Sequence, residues 1–166
     1  MSNKATVGEL FELAIAAEKA AEELYRGLGI KFSHHQEIAD FWKEYAAEEA
    51  GHARQLEDIR DTLSPDQLSA LADPRQLKYA RRALQSPVEK KLKCVKNLED
   101  AYQLAHELES SETNAIFEFL ITDFSVAKKS HSFLRAQLGE HIGRIMTEFP
   151  ARFGGTASRL AIKALE

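Results

Sequence analysis

Two side chains that can bind a metal ion stand three positions apart in the sequence, Glu49 and His52. On an α-helix this spacing places both of them on one face, a turn apart. The face is otherwise apolar, because Phe41, Tyr45 and Leu56 recur around the pair at helical spacing. A carboxylate and an imidazole are costly to bury unless a partner neutralises them. An iron, manganese or zinc ion would be such a partner. The alternative is that the pair lies on a solvated helix edge and binds no metal.

Another acidic residue, Glu18, lies within the apolar stripe of the helix predicted before this one. Alanines flank it along the stripe, at Ala14 and Ala21. Such small neighbours would leave room for an ion beside the carboxylate. Because the edge of a helical stripe is uncertain by about one position, the alternative is that Glu18 lies at the margin of the stripe.

The elements that would position these residues are four long helices. Ala, Leu, Glu, Lys and Gln dominate the composition, and few stretches alternate with a period of two, so the chain is predicted to be all-α. Thr6 would cap the first helix, with Glu9 completing a capping box, and Pro150 would end the fourth. The helices are predicted over about residues 6–32, 33–62, 98–124 and 126–149, the third beginning near residue 88 or 98.

These helices predict a four-helix bundle of two hairpins. We expect the bundle to form one domain over residues 1–150, since a chain of 166 residues is long enough to bury such a core. Residues 151–166 are predicted to hold a turn and a short C-terminal helix, which begins near residue 157.

Residues 64–96 interrupt the helical pattern, with Pro65, Pro74 and Pro87 along them. In a four-helix bundle such a segment fits a long crossover between the two hairpins. Within it, residues 75–96 hold eight basic side chains and one acidic side chain. This concentration of charge predicts either a solvated basic surface or a docking patch for an acidic redox partner.

The composition also argues against several kinds of protein. The formal net charge is −4, which gives no overall signal for nucleic-acid binding, and binding through residues 75–96 is a minor alternative. Cys94 is the only cysteine, which excludes an internal disulfide and a four-cysteine iron site. The first residues lead into an amphipathic helix, and no run of about 18 apolar residues occurs. We therefore expect a cytoplasmic protein that makes no contact with a membrane.

The two predicted hairpins look like copies of each other. Leu, Ala and Glu coincide when the segment that ends at Glu18 is aligned with the segment that ends at Glu109. The interval from Glu18 to His52 is also close to the interval from Glu109 to His141, and Glu112 follows Glu109 on the core side. Each hairpin would then direct a Glu from its first helix and a His from its second towards a common axis. Because buried charges need partners, this repeat favours a metal site built jointly by all four helices.

The sequence resembles the rubrerythrin-like branch of the ferritin-like superfamily over roughly residues 7–62 and 97–149. The resemblance rests on Ala14-x-x-x-Glu18-x-x-Ala21-x-x-x-Tyr25, Glu48-Glu49-x-x-His52-Ala53, Ala105-x-x-x-Glu109-x-x-Glu112 and His141. The metal ligands that it implies are Glu18, Glu49, His52, Glu109, Glu112 and His141. It also implies two iron ions as the cofactor, with zinc or manganese as alternatives, and Tyr25 as a catalytic hydrogen-bond donor or radical-quenching group.

The resemblance also implies a function. Members of this branch use such sites to reduce peroxide or dioxygen, or to oxidise iron. We therefore expect a non-haem di-iron oxidoreductase of peroxidase or ferroxidase type that acts on a small-molecule oxidant. Because the chain lacks a rubredoxin-type four-cysteine site, its electrons would come from a separate donor. We also expect a homodimer, because bundles of this class commonly pair.

One position departs from the family pattern. The Glu expected three residues before His141 is replaced by Leu138, and the other candidate ligand on this helix, His131, is preceded at that spacing by Lys128. A leucine cannot bind a metal, although Glu112 could compensate from the neighbouring helix. The alternatives to an oxidoreductase are an asymmetric or mononuclear binder of iron or zinc without strong catalysis, and a metal-free interaction module.

Overall fold

The computed structural model describes residues 5–124 and 128–149, and at some helical positions, among them Glu112, His131 and Leu134, it describes the backbone alone. Every regular element within that part of the chain is helical, which confirms the all-α prediction. In chain order the helices are α1 Val7–Lys31, α2 Gln36–Thr62, α3 Pro65–Ser69, α4 Pro74–Ala83, α5 Val88–Lys93, α6 Leu98–Glu109, α7 Glu112–Phe124 and α8 Lys128–Gly143, followed by a π-helical segment, Arg144–Glu148. The predicted turn and helix beyond Pro150 lie outside the described residues.

The first hairpin consists of α1 and α2, which pack against each other along their lengths. The predicted cap at Thr6 is present, since its hydroxyl oxygen accepts a hydrogen bond from the backbone N–H of Glu9 at 3.2 Å. The Glu9 side chain does not complete a capping box, because its carboxylate pairs with Arg81 of α4 at 2.7 Å instead. Both helices bury an apolar stripe against the rest of the bundle.

The crossover between the hairpins contains three short helices that lie against α1. Ser64 and Gln67 form a capping box at the start of α3, and Asp73 caps α4 by accepting from Arg75 N–H at 2.8 Å. The segment is tied to the beginning of the chain by two backbone hydrogen bonds of 2.9 Å, Val7 N–H to Ala70 and Ala72 N–H to Ala5. The crossover is therefore packed against one side of α1.

The third helix of the bundle is interrupted, so the prediction of one continuous helix to residue 124 is wrong. Helix α6 ends at Glu109, and α7 begins at Glu112 after a break at Ser110 and Ser111. Side chains donate hydrogen bonds to backbone carbonyls at this break. Ser111 Oγ donates to Leu108 O at 2.5 Å, and Asn114 Nδ2 donates to Glu109 O at 2.9 Å. Such local bonds from Ser and Asn compete with the helical pattern.

The core consists of two apolar clusters that lie towards opposite ends of the bundle. We call them the Trp42 cluster, which includes Tyr25, Phe32, Phe41, Trp42, Tyr45, Leu98 and Phe149, and the Phe117 cluster, which includes Leu10, Phe11, Leu56, Phe117, Leu120 and Leu138. The residues of one cluster precede a buried ionisable side chain, and those of the other follow it, along α1, along α2, from α6 to α7, and from α8 into the π-helical segment. A polar layer therefore crosses the bundle between two apolar regions.

No helix in the described part of the chain is both long and apolar enough to cross a membrane.

We expect Leu28→Ala to lower the free energy of unfolding by about 2–5 kcal/mol, because the Leu28 side chain is fully buried in the Trp42 cluster. The matched control is Ile30→Ala on the same helix, where the side chain is 67% exposed and the loss should stay within about 0.5 kcal/mol. Urea unfolding of the metal-free protein measures both values. Equal losses in the two variants would contradict the described orientation of α1.

Candidate metal centre

The polar layer consists of five ionisable side chains that the helices of both hairpins direct inwards. They are Glu18 of α1, Glu49 and His52 of α2, Glu109 of α6 and His141 of α8. None is more than 7% exposed. Charged groups are rarely buried to this degree unless they are paired with each other or with a metal ion.

One half of the layer is formed by Glu18, Glu49 and His52. His52 Nδ1 lies 3.3 Å from Glu49 Oε2 and 3.6 Å from Glu18 Oε2, and one ligand atom from each residue lies within 4.8 Å of the others. Glu18 Oε2 is buried, and among the described residues it has no hydrogen-bond partner. An unpartnered carboxylate oxygen beside an imidazole fits a bound cation.

The other half is formed by Glu49, Glu109 and His141. His141 Nε2 lies 2.7 Å from Glu49 Oε1 and 3.0 Å from Glu109 Oε1, and these three residues also bring ligand atoms within 4.8 Å of one another. Glu49 therefore belongs to both halves, with Oε2 beside His52 and Oε1 beside His141. A carboxylate placed in this way can be shared between two metal positions.

The donor set of each half suits a transition metal. Each group offers carboxylate oxygens together with one imidazole nitrogen, the combination that iron, manganese and zinc accept. Both groups are candidate metal sites, and the two share the layer between the apolar clusters.

Tyr25, the predicted catalytic residue, lies directly beneath this layer. Its hydroxyl donates a hydrogen bond to Glu109 Oε1, and Asn114 Nδ2 donates to Glu109 Oε2 at 2.9 Å. Burial raises the pKa of Tyr25 well above its usual value, and the charges of Glu109 and Glu49 add to that rise. The phenol therefore remains a hydrogen-bond donor that orients the Glu109 carboxylate.

Sequence analysis did not single out Glu48 or Arg144 as site residues, although both lie near the metal centre. His141 Nδ1 contacts a carboxylate oxygen of Glu48, which in turn contacts Arg144. Burial alone would raise the pKa of Glu48, but the hydrogen bond with His141 and the Arg144 charge outweigh it and lower that pKa. The available signal was weak, namely the position of Glu48 beside Glu49 in the second motif.

The carboxylates set the protonation of both histidines. Burial alone would lower their pKa values, but the neighbouring carboxylates of Glu18 and Glu49 raise the pKa of His52 to about 9. Hydrogen bonds with Glu109, Glu48 and Glu49 likewise raise the pKa of His141 to about 12. In the metal-free protein both imidazoles are therefore cationic at neutral pH.

The acids of the layer differ from one another in the same state. Burial raises the pKa of Glu18 well above its usual value, against the opposing effect of His52. For Glu49 the hydrogen bonds from His141 and His52 outweigh the effect of burial and lower its pKa. Glu49 is therefore the most firmly ionised acid of the pair, as its position between two histidines requires.

Two of the positions at which a carboxylate ligand was considered, Leu138 and Glu112, affect how many ligands are available for a second ion. Leu138, one turn before His141, is buried in the Phe117 cluster and offers no ligand atom. Glu112 begins α7, beyond the break, so it does not share a continuous helical face with Glu109. The Glu112 side chain lies outside the described part of the chain, and its role as a ligand stays a prediction.

A cavity of about 320 Å³ leads to this centre between α2 and α8. Its walls include His52, His141, Glu48, Gln55, Glu140 and Arg144. Because Glu140 is exposed while the two histidines are buried, the cavity connects the protein surface to both halves of the polar layer.

Comparison with known proteins gives one match. A sequence model of the rubrerythrin family matches residues 9–130 of the chain. The matched range includes Glu18, Glu49, His52 and Glu109 and ends before His141. No curated protein and no solved structure matches the chain.

Metal loading should release protons, because metal ligation requires neutral imidazoles whereas the raised pKa values keep His52 and His141 protonated at pH 7. We expect zinc added to weakly buffered metal-free protein at pH 7 to release at least the two histidine protons, as reported by an indicator dye. The apparent affinity should therefore rise as the pH increases from 6 to 8. The His52→Ala variant should release one proton fewer, and zinc binding without proton release would contradict this account.

Proposed function

The chain belongs to the rubrerythrin family, and from that membership together with the buried polar layer we propose that it is a di-iron protein that reduces hydrogen peroxide. The observation that carries the proposal is the position of Glu49, whose two oxygens face two different histidines. A carboxylate placed in this way supports a pair of ions rather than a single ion.

The residues of each half would hold one ion. Glu18, Glu49 and His52 would bind the first, and Glu49, Glu109 and His141 the second. Three protein ligands leave positions open for a small oxidant, as in other catalytic metal sites. When bound, ferrous iron would supply the two electrons with which peroxide and two protons give two molecules of water.

The cavity favours peroxide over an apolar oxidant. Its walls carry the carboxylates of Glu48 and Glu140, the guanidinium of Arg144 and the amide of Gln55. Gln55 Oε1 is buried and, among the described residues, has no hydrogen-bond partner. Hydrogen peroxide can donate to such oxygens as it enters, whereas dioxygen and alkyl groups would displace water from polar walls without replacing its hydrogen bonds.

Two neighbouring side chains would orient the metal ligand Glu109. Tyr25 and Asn114 each donate to one oxygen of Glu109, so this carboxylate is oriented from below before any ion arrives. Neutral donors around a metal ligand limit the geometries that the ligand can adopt. Tyr25 would act through Glu109 rather than by contact with the oxidant.

Electrons would come from a separate protein. Cys94 is the only cysteine of the sequence, so the chain cannot build a four-cysteine iron site of its own. The basic side chains of residues 75–96 lie on the crossover, and Lys91 and Arg82 line a surface cavity of about 230 Å³ there. An acidic electron donor is the partner whose charge complements this surface.

Leu138 favours a second candidate function, a metal-binding protein with little turnover. It occupies the position of a family ligand but packs among apolar side chains, so the centre offers three carboxylates within the described residues. With fewer bridging oxygens the two positions are held together less tightly, which would permit binding of one ion or unequal binding of two.

Metal content and peroxide consumption, measured on protein purified without chelator, test the proposal. We expect about two iron ions per chain in the wild type and metal-dependent loss of peroxide. Glu49→Gln should lower the iron content and slow peroxide consumption at least about tenfold, because an amide cannot provide two anionic oxygens. The control is Glu57→Gln on the same helix, whose carboxylate pairs with Lys19 at the surface.

The outcomes separate the candidates. Two ions with peroxide consumption support the di-iron oxidoreductase. Metal binding without peroxide consumption supports the second candidate instead. A wild-type protein that contains no metal and takes none up would overturn both functions and leave the interaction module.

The variant Leu138→Glu should become more dependent on metal than the wild type. A carboxyl group introduced into the Phe117 cluster would lower the stability of the metal-free protein by about 1–3 kcal/mol, because it is buried without a partner. Added zinc should restore stability and raise Tm by more than it does in the wild type. Leu138→Ala is the control, since it should lose stability without becoming more responsive to zinc. An equal response in all three proteins would show that position 138 does not reach the centre.

A further inference from the structure

The two histidines of the centre present different nitrogens to the carboxylates. His52 directs Nδ1 towards Glu18 and Glu49. His141 directs Nε2 towards Glu49 and Glu109, and its Nδ1 contacts Glu48 on the other side of the ring. Once metal binding has displaced the Nε2 proton of His141, its Nδ1–H donates to Glu48 and its Nε2 directs a lone pair at the candidate metal position.

Glu48 is itself held in place by Arg144. One guanidinium nitrogen of Arg144 contacts Glu48, and the other lies 2.9 Å from Glu44 Oε2. The guanidinium also lies over the ring of Tyr45, at 5.0 Å from its centroid. Because these contacts fix Arg144, Glu48 has a defined position, and a carboxylate in a defined position selects one tautomer of His141.

The backbone of His141 is held as well. Tyr45 donates its hydroxyl to His141 O at 2.5 Å, and the two rings lie 4.4 Å apart between centroids. The helix changes from α to π geometry at Arg144, three residues later. Such π-helical segments occur frequently at functional sites. Neighbouring groups therefore constrain the ring and the carbonyl of His141, and the helix geometry changes in the turn that follows it.

His52 is held differently. Its ring lies 4.5 Å from that of Phe117, an apolar neighbour that offers no hydrogen bond. Within the described residues, Nε2 of His52 has no carboxylate comparable to Glu48. Among the described residues, the carboxylates that can set the tautomer of His52 are therefore Glu18 and Glu49, which lie on its Nδ1 side.

We propose that Glu48 and Arg144 are positioning residues for His141, and that they make the half formed by Glu49, Glu109 and His141 the tighter metal position. The first ion would bind there, and the second ion would bind more weakly and exchange more readily at Glu18, Glu49 and His52. The inference rests on the proposed function only in that the centre binds metal, since it requires no peroxide chemistry.

Stepwise metal titration tests this inference without any turnover. Cobalt(II) and zinc(II) are added to metal-free protein in the presence of a competing chelator, and the wild type should show two affinities. Glu109→Ala should lose the tighter binding event, and Glu18→Ala should lose the weaker one. This pair of variants assigns each affinity to one half of the centre.

Glu48→Leu then removes the acceptor of His141 Nδ1–H. We expect it to weaken the tighter event about 10–100-fold and to leave the weaker event nearly unchanged. Glu48→Gln should recover most of the affinity, because an amide oxygen still accepts from Nδ1–H. Glu57→Leu is the matched control, since Glu57 lies on the same helix but pairs with Lys19 at the surface, away from His141 and Arg144.

A second measurement separates positioning from a merely structural role. In the zinc-loaded protein, ¹⁵N NMR should show a slowly exchanging Nδ1–H of His141, absent in Glu48→Leu and present again in Glu48→Gln. A residue that only stabilised the fold would change the unfolding midpoint without changing this resonance or the ratio of the two affinities.

The possible failures are distinct. Unchanged tight binding in Glu48→Leu, or loss of the tighter event in Glu18→Ala instead of Glu109→Ala, would overturn this inference and leave the proposed function standing. Absence of metal binding in the wild type would overturn both.

Discussion

The structure depends on the burial of five ionisable side chains at the centre of a helical bundle. Placing a charge in an apolar interior costs several kcal/mol unless it is paired, so no single helix could carry Glu18 or His141 into the core by itself. The carboxylates and histidines offset this cost for one another, because α1, α2, α6 and α8 all bring them to the same layer. The Trp42 and Phe117 clusters, packed on either side, supply the apolar burial that holds those arms together.

The two hairpins do not contribute equally to this layer. In the first hairpin α1 and α2 are regular helices, and their ligand candidates follow from simple helical spacing. In the second hairpin each ligand candidate stands beside an irregularity: Glu109 precedes the break at Ser110, and His141 precedes the π-helical segment that begins at Arg144. These irregularities place Asn114 against Glu109 and Arg144 against Glu48, so they supply the groups that orient the ligands.

This difference bears on the missing carboxylate at Leu138. The position belongs to the Phe117 cluster, and its apolar side chain completes the packing at that end of the layer. Glu49 is then the carboxylate that both halves share, and the cavity approaches the pair from the side of α2 and α8. The chain thus belongs to the family and has two candidate metal groups, but the neighbouring groups that orient the ligands differ between the two halves.

The sequence by itself predicted the all-α architecture, the capped start of α1 and an inward set of residues. Five of that set are buried, namely Glu18, Glu49, His52, Glu109 and His141, and the sixth, Glu112, stays a prediction. The sequence could predict these features because helical periodicity is local: residues three or four apart share a face wherever the helix is continuous. The same reasoning failed between Glu109 and Glu112, because side-chain hydrogen bonds from Ser111 and Asn114 end the helix there and periodicity carries no signal for that competition.

Only the tertiary structure decided which atoms meet. The contact of Glu48 with His141 joins residues on different hairpins, and the sharing of Glu49 between two histidines depends on how α2 and α8 are rotated against each other. The cavity that reaches both histidines has the same origin. Such contacts follow from the packing of whole helices, which the buried apolar clusters set, and not from the spacing of residues along any one helix.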